Sequence, residues 1–307
     1  MNLICYFDKK AGGNPAFIHM FKSMFEGLQL RFPEHQFTHI QAEPGMDHLP
    51  PYISNFLIIN PENNKVILMS LWDRGMDCLT DQTIWKKFPI VQYLGGLGMS
   101  ISSEEIKKTY GIEHIPFQYP LGVPNAYEYI DKFKTDYIPN KKIKKAIFMG
   151  ALYGIRETFK KLTKNHPLIE VYGNDDPYHG IEYFKKLVEY KIAISFNGNG
   201  ELCMRDFEAM GLKIPVVRSE LVTQFYNRLI PDVHYIKATE PHDESIRLNS
   251  DHNLLTEQFV NTIESVIDDD VLLTRIANNG SDYFEKYCGV DYMIELYFKL
   301  ININKLK

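Results

Sequence analysis

The sequence has few of the residues that build covalent or metal-held frameworks. Four cysteines occur in 307 residues, at Cys5, Cys78, Cys203 and Cys288. None forms a C-x-x-C pair, so neither a zinc site nor a dithiol redox motif is expected. Scattered single thiols of this kind are those of buried cysteines in a reducing compartment. No apolar stretch approaches the ~18 residues that a membrane span requires. The apolar run in MNLICYFDKK meets charge after about five residues, too early for a signal-peptide core. The expectation is a cytoplasmic protein without a transmembrane segment. Excess positive charge is also missing. Lys and Arg number 34 against 39 Asp and Glu, for a formal net charge of −5, which gives no support to binding nucleic acid across a broad face. The Lys-rich stretch at 138–145 lacks interleaved aromatics and reads as a solvated connector. There is no Walker sequence, no G-x-G-x-x-G fingerprint and no D-x-D following a strand. No His/Asp cluster has metal-ligand spacing. No metal and no cofactor are expected.

What is present is an alternation of short apolar runs with longer segments of helical period. That pattern belongs to an α/β protein whose parallel sheets are covered by helices. A chain of this length is expected to form two domains of about 150 residues each. In the first half, strands are predicted at Leu3–Phe7, Phe37–Ile40, Phe56–Ile59, Val66–Leu71, Ile90–Leu94 and Pro116–Tyr119. A helix is predicted over Pro15–Leu30, where the first-turn proline loses nothing by lacking an N–H. In the second half, strands at Ala146–Met149, Leu168–Tyr172, Lys191–Phe196 and Ile214–Arg218 alternate with helices starting near 156, 180 and 201. Helices over 254–268 and 270–300 close the chain. The Lys-rich connector divides it into an N-terminal domain, 1–140, and a C-terminal domain, 141–307, with the last helix free to pack back on the first half.

The most informative stretch is Lys191–Glu220, KIAISFNGNGELCMRDFEAMGLKIPVVRSE. A buried strand runs into Asn197-Gly198-Asn199-Gly200, a helix follows, and an apolar strand comes after Gly211. Glycines there let the backbone approach a ligand, and a helix amino end offers free N–H groups and a positive dipole. In an open parallel sheet, ligands sit at this kind of strand-to-helix junction. At about 100° per residue, Glu201, Arg205 and Glu208 fall within about 60° of one another. Leu202, Cys203, Met204, Phe207, Ala209 and Met210 occupy much of the remaining girth, interrupted by Asp206, so the helix should be largely buried. The charged stripe is therefore either an internal salt-bridged network or the wall of a cleft. As a wall it suits a nucleoside diphosphate-sugar: Arg205 can fork onto phosphate oxygens, Glu208 can accept from ribose hydroxyls, and Glu201 can meet sugar hydroxyls.

This strand, Gly-rich loop and E-L-C-x-R-D-x-E-A-M-G-x-x-x-P-V-V segment resembles the donor site of GT-B glycosyltransferases, where an acidic residue precedes E-A-M/L-A-x-G-x-P-V-V. The resemblance implies two Rossmann-like domains facing a central cleft and transfer of a hexose or pentose from a UDP- or GDP-sugar to a hydroxyl acceptor, such as a glycan. It also implies a ribose contact for Glu208. Departures exist: the usual Gly-Phe-Gly is replaced by Leu-Cys-Met-Arg, and Arg205 is closer to exostosin-like and lipopolysaccharide-modifying relatives. Retention and inversion both stay open. In the same family the first turn of the C-terminal half faces the donor phosphates, which points to Gly150 and Arg156 in Phe148-Met-Gly-Ala-Leu-Tyr-Gly-Ile-Arg156. Tyr172, ahead of Gly173-Asn174, resembles the turn near the donor base.

The N-terminal half should supply the acceptor contacts and, for inversion, a general base. Its loop Lys10-Ala-Gly-Gly-Asn14 resembles the first loop of the GT-B N-terminal domain, which implies an acceptor-side place for Gly12, Gly13 and Asn14. Asp73, in Leu-Trp-Asp-Arg-Gly, is preferred to Asp8 as the base. Arginines and a helix dipole can neutralise a departing diphosphate without a cation, so metal-independent catalysis is expected. Two other readings share the same cleft: a nucleotide-sugar epimerase of the same fold, and a nucleotide-sugar-binding protein without catalysis.

Overall fold

The computed structural model describes residues 1–7, 15–41, 55–70, 87–95, 103–116, 125–173, 175–176, 178–197, 202–221, 226–240 and 251–307, with residues 15–19 as backbone alone. Among them the chain builds two sheets, one from each half.

The first half runs β1 (Asn2–Phe7), α1 (Pro15–Arg31), β2 (Gln36–Gln41), β3 (Asn55–Ile59), β4 (Val66–Ser70), β5 (Ile90–Gly95), α2 (Ser103–Tyr110) and β6 (Glu113–Pro116). Its strand order is β2-β1-β3-β4-β5-β6. The sheet is mixed rather than wholly parallel, because β3 lies antiparallel to both β1 and β4. The cause is short-range. Asn60–Lys65 is too brief for a parallel crossover, which takes a dozen or more residues, so β3 and β4 form a hairpin. Asn64 supplies its left-handed backbone at φ 58°. The strand expected at Pro116–Tyr119 is found at Glu113–Pro116, and 117–119 lie outside the described residues. Helix α2 had no sequence signal, since Ile106 is its buried residue and no apolar period can form around one position.

The second half runs α3 (Ala126–Phe133), β7 (Ile143–Met149), α4 (Ile155–Leu162), β8 (Ile169–Tyr172), α5 (Ile181–Leu187), β9 (Tyr190–Ile194), α6 (Met204–Gly211), β10 (Val216–Arg218) and β11 (Ile236–Lys237). Helices α7 (His252–Val266), α8 (Asp270–Tyr287) and α9 (Val290–Leu300) follow. The strand order is β11-β10-β9-β7-β8, and every pairing is parallel. Side chains alternate along β7. Ile147 and Met149 pack under α3, α5 and α6, while Ala146 and Phe148 pack with Phe159, Phe259, Ile263 and Ile276 on the other face. A strand buried on both sides reads as a continuous apolar run, which is why this half was the plainer one in sequence.

Two connections cross the Lys-rich linker. Ala126 and Ile130 of α3 are buried with the second sheet although they precede the linker. The helical segment expected at 270–300 is broken after Tyr287, and α9 leaves to pack on the first half. There Met293, Ile294, Leu296 and Tyr297 join the core of β1, α1 and β3. The ends are also stitched by polar contacts: Asn60 donates to the Leu306 carbonyl at 2.8 Å, and Gln92 donates to the Leu300 carbonyl at 3.0 Å. Among the described residues no helix is long and apolar enough to cross a membrane.

Candidate functional site

Parallel strands end on the same side of their sheet, and here the carboxyl ends of β7 and β8 meet the amino end of α6 around a cavity of about 390 Å³. The turn after β7 contributes Gly150 and Ala151, the turn after β8 contributes Tyr172 and Gly173, α5 contributes Tyr183, and α6 contributes Arg205 and Glu208. Such a junction is where open α/β sheets bind their ligands.

Helix α6 starts at Met204, with Cys203 as its cap residue, and not at Glu201. The Cys203 N–H donates to Asp206 Oδ2 at 2.7 Å, which fixes the first turn. The expected stripe of three charges on one helix is thereby reduced to two, Arg205 and Glu208, one turn apart. Gly198, Gly200 and Glu201 lie outside the described residues, as do Asp8, Gly12, Gly13, Asn14 and Asp73.

Arg205 stacks its guanidinium on Phe148, 4.5 Å from the ring centroid. It also passes so close to Gly150 that a Cβ there would come within 2.0 Å of Nη2. Gly150 has φ +152°, so any side chain would be strained as well as blocked. The Nε and Nη1 atoms of Arg205 are shielded from solvent and donate to nothing. Burial opposes the charge on Arg205, but the Tyr183, Cys203 and Glu208 side chains around it outweigh that effect and hold the guanidinium protonated. Glu208, only 4% exposed, lines the same cavity. Burial lifts its carboxyl above the usual range, opposed by the Tyr183 hydroxyl and Arg205 beside it. Yet no salt bridge joins Glu208 to Arg205 among the described residues. The Tyr183 hydroxyl is itself buried beside Glu208 and interacts with its carboxyl, and burial pushes the phenol's pKa up. A guanidinium with two unpartnered nitrogens and a buried carboxylate thus line one space, where the unpartnered N–H groups are costly until something accepts from them.

Asp206, which interrupts the apolar girth of α6, is treated differently. It is fully buried and accepts from Arg218 Nη1 at 2.8 Å, with Arg218 1% exposed. Arg218 also donates to the Ser219 carbonyl and to Asn197 Oδ1, both at 3.1 Å. The self-satisfied ladder weighed from the sequence therefore exists, but between other residues. It was detectable in principle: a lone carboxylate in an apolar helix needs a cation, and Arg218 closes the next strand.

Two expected contacts fall elsewhere, and a third lines the cavity with its hydroxyl already engaged. Arg156, expected at the donor phosphates, is 3% exposed and is absent from the cavity wall. Its guanidinium donates to the carbonyls of Ala151, Phe196 and Asn197, each at 3.1 Å, and lies over the Tyr153 ring. Its work is to tie the turn after β7 to the loop after β9. Asn197 likewise spends its side chain on Arg218. Tyr172 does line the cavity, but its hydroxyl donates to Glu170 at 2.8 Å, so a ring face or edge is what it offers a ligand. Tyr178 meets that ring edge-on at 5.0 Å. Tyr178 and Tyr183 were missed in the sequence because nothing local distinguishes a cavity tyrosine from a core one.

No family model matches the chain, and no curated protein does. Solved structures do resemble it. Anabaena Alr3699/HepE, in complex with UDP and glucose, is 11% identical over 97% of this chain and 98% of its own, with a TM-score of 0.48. WaaG, a glycosyltransferase involved in lipopolysaccharide biosynthesis, is 10% identical over 94% of this chain and 96% of its own, with a TM-score of 0.44. The pneumococcal O-GlcNAc transferase GtfA, in complex with UDP and GlcNAc, is 9% identical at a TM-score of 0.41, covering 70% of this chain, which spans 45% of GtfA. These are likenesses in the course of the backbone alone.

Proposed function

We propose that the protein is a GT-B glycosyltransferase that moves a sugar from a nucleoside diphosphate-sugar, a UDP- or GDP-sugar, to a hydroxyl of a glycan or glycoconjugate. The observation that carries this reading is Arg205: a shielded guanidinium with two unpartnered N–H atoms in a cavity whose opposite charge, Glu208, it does not bridge. A ligand that presents phosphate oxygens to one and hydroxyls to the other satisfies both. Pockets of several hundred Å³ are the usual size for such ligands. The missing side chain at Gly150 makes room for the Arg205 guanidinium at the cavity wall, and Tyr172 with Tyr178 offers ring surface to the base. In the reaction, the acceptor oxygen attacks the anomeric carbon as the bond to the diphosphate oxygen breaks. Negative charge grows on that leaving oxygen, and Arg205 stabilises it in place. For an inverting course the acceptor proton passes to a carboxylate of the first half, for which Asp73 is preferred to Asp8. Glu201, Gly198 and Gly200 complete the donor contacts by sequence. Arg205 and the α6 amino end supply the positive charge, so catalysis is proposed to be metal-independent.

A thermal-shift panel of UDP- and GDP-sugars in excess chelator tests the binding half of this reading, since a ligand of the folded state raises the midpoint with ln(1 + [L]/Kd). At least one sugar nucleotide is expected to raise it. No shift across the panel would reject the reading, and a shift that needs magnesium or manganese would reject metal independence. Product analysis then decides the reaction: conversion of the donor without acceptor would mark an epimerase, and binding with no turnover a binding protein.

A further inference from the structure

We infer that Gly150 and Phe148 act through Arg205: together they form the seat that holds its guanidinium at the cavity, and Gly150 does not itself bind the diphosphate. The inference rests on the donor reading above and gives two residues of that site a positioning task. Gly150 follows β7, and its backbone N–H donates to the Tyr172 carbonyl at 3.2 Å. That N–H is spent on the neighbouring strand β8 rather than offered to a phosphate. A glycine that serves a ligand by close backbone approach leaves open space where its side chain is missing. Here the chain fills that space itself. A Cβ at Gly150 would lie 2.0 Å from Nη2 of Arg205, 3.1 Å from Cζ and 3.8 Å from Nη1. Gly180, in the same cavity wall, shows the contrast. A Cβ there meets nothing within 4 Å, and its left-handed φ of +53° accounts for the glycine.

Phe148 supplies the floor of the seat. Its ring is fully buried and lies 4.5 Å from the Arg205 guanidinium. Phe196 packs against it at 5.3 Å between centroids. Arg156, fixed by its own bonds to carbonyls, lies against the same ring at 5.5 Å. A ring held in this way offers Arg205 a fixed face. An arginine in water samples many rotamers, and one already fixed in its bound orientation loses less freedom when a ligand arrives. The stacked ring and the missing Cβ keep the guanidinium in the cavity wall, with Nε and Nη1 still unpartnered. A methyl group at position 150 takes the volume of Nη2 and displaces that guanidinium.

The test is a double-substitution cycle read in nucleotide affinity. Calorimetry measures UDP and GDP binding to the wild type, Gly150→Ala, Arg205→Ala and the double variant, with each unliganded melting temperature as a control. Gly150→Ala is expected to weaken the tighter nucleotide at least ~10-fold. In the Arg205→Ala background the same change should cost less than about twofold, because the seat then holds nothing. That coupling is the readout a purely structural glycine would not produce. Alanine is also strained at φ +152°. If Gly150→Ala does not fold, Phe148→Leu takes its place in the cycle. It is expected to weaken binding about 3- to 10-fold in the wild type and to lose that effect in Arg205→Ala. Additive losses overturn the inference by making the seat residue a ligand contact in its own right. Unchanged affinity in the folded seat variant overturns it by making that residue structural. Failure of the wild type to bind either nucleotide overturns the donor reading itself, and this inference with it.

Discussion

One short helix carries two sets of charges, and the fold treats them oppositely. On the inner side of α6, Asp206 meets Arg218 at 2.8 Å with both residues at most 1% exposed. Further hydrogen bonds from Cys203 N–H to Asp206, and from Arg218 to Ser219 and Asn197, hold that pair, with Asp206 Oδ1 left without a partner among the described residues. On the cavity side, Arg205 and Glu208 lie a turn apart with no bridge between them, and two guanidinium N–H atoms donate to nothing. Taking charge out of water is expensive unless a partner replaces the water. A pair bridged by the chain itself is therefore a structural device. A pair left incomplete beside a cavity is a place where something else completes it.

Three substitutions break or sharpen that contrast. The largest effect is expected from Asp206→Ala, which leaves Arg218 buried and unpaired. A loss of about 3–5 kcal/mol in unfolding free energy is expected by chemical denaturation. A loss below about 1 kcal/mol would show that the inner pair is not structural. Next comes Arg205→Ala, which should cut nucleotide affinity by about 1.5–3 kcal/mol, roughly 10- to 150-fold, while the unliganded protein keeps its stability. The reverse pattern, unfolding with affinity retained, would make Arg205 a second structural arginine. The smallest effect concerns Glu208→Gln in the absence of ligand. Burial raises the Glu208 carboxyl above its ordinary 4.5, so the folded state binds its proton more tightly than the unfolded state does. Stability from that source is present at pH below 4.5 and is lost as pH rises through the raised value. Glutamine does not ionise, so Glu208→Gln should melt above wild type at neutral pH, with the difference closing in acid. A difference constant across pH would disconnect Glu208 titration from stability.

How much of this was legible beforehand varies with the range of the interaction. Helix α1 and most strands of both halves followed from apolar period and turn chemistry, because a strand buried on one or both faces must be apolar where it is buried. The two-residue β11 is too short to show a pattern, and β6 lies three residues before its expected place. The antiparallel placing of β3 was overlooked, although Asn60–Lys65 is short enough to have revealed a hairpin. The start of α6 was misjudged by three residues because Cys203 with Asp206 forms a cap that the preference for Ser, Thr, Asp or Asn does not announce. Arg205 and Glu208 were picked out by helical spacing, which is local. Tyr183, more than twenty residues away, carried no local mark.

By itself, then, the sequence determined an α/β chain in two halves and a helix whose charged residues interrupt an apolar surface. Those features depend on neighbours within a few positions. Only the tertiary structure decided which charges on that helix are closed and which are open. Arg156 and Arg205 are the same side chain close after a glycine-bearing loop, yet one gives both terminal nitrogens to backbone carbonyls and the other lines a cavity. The partners that make that difference come from separate strands and helices, and their distances are set by packing rather than by spacing along the chain.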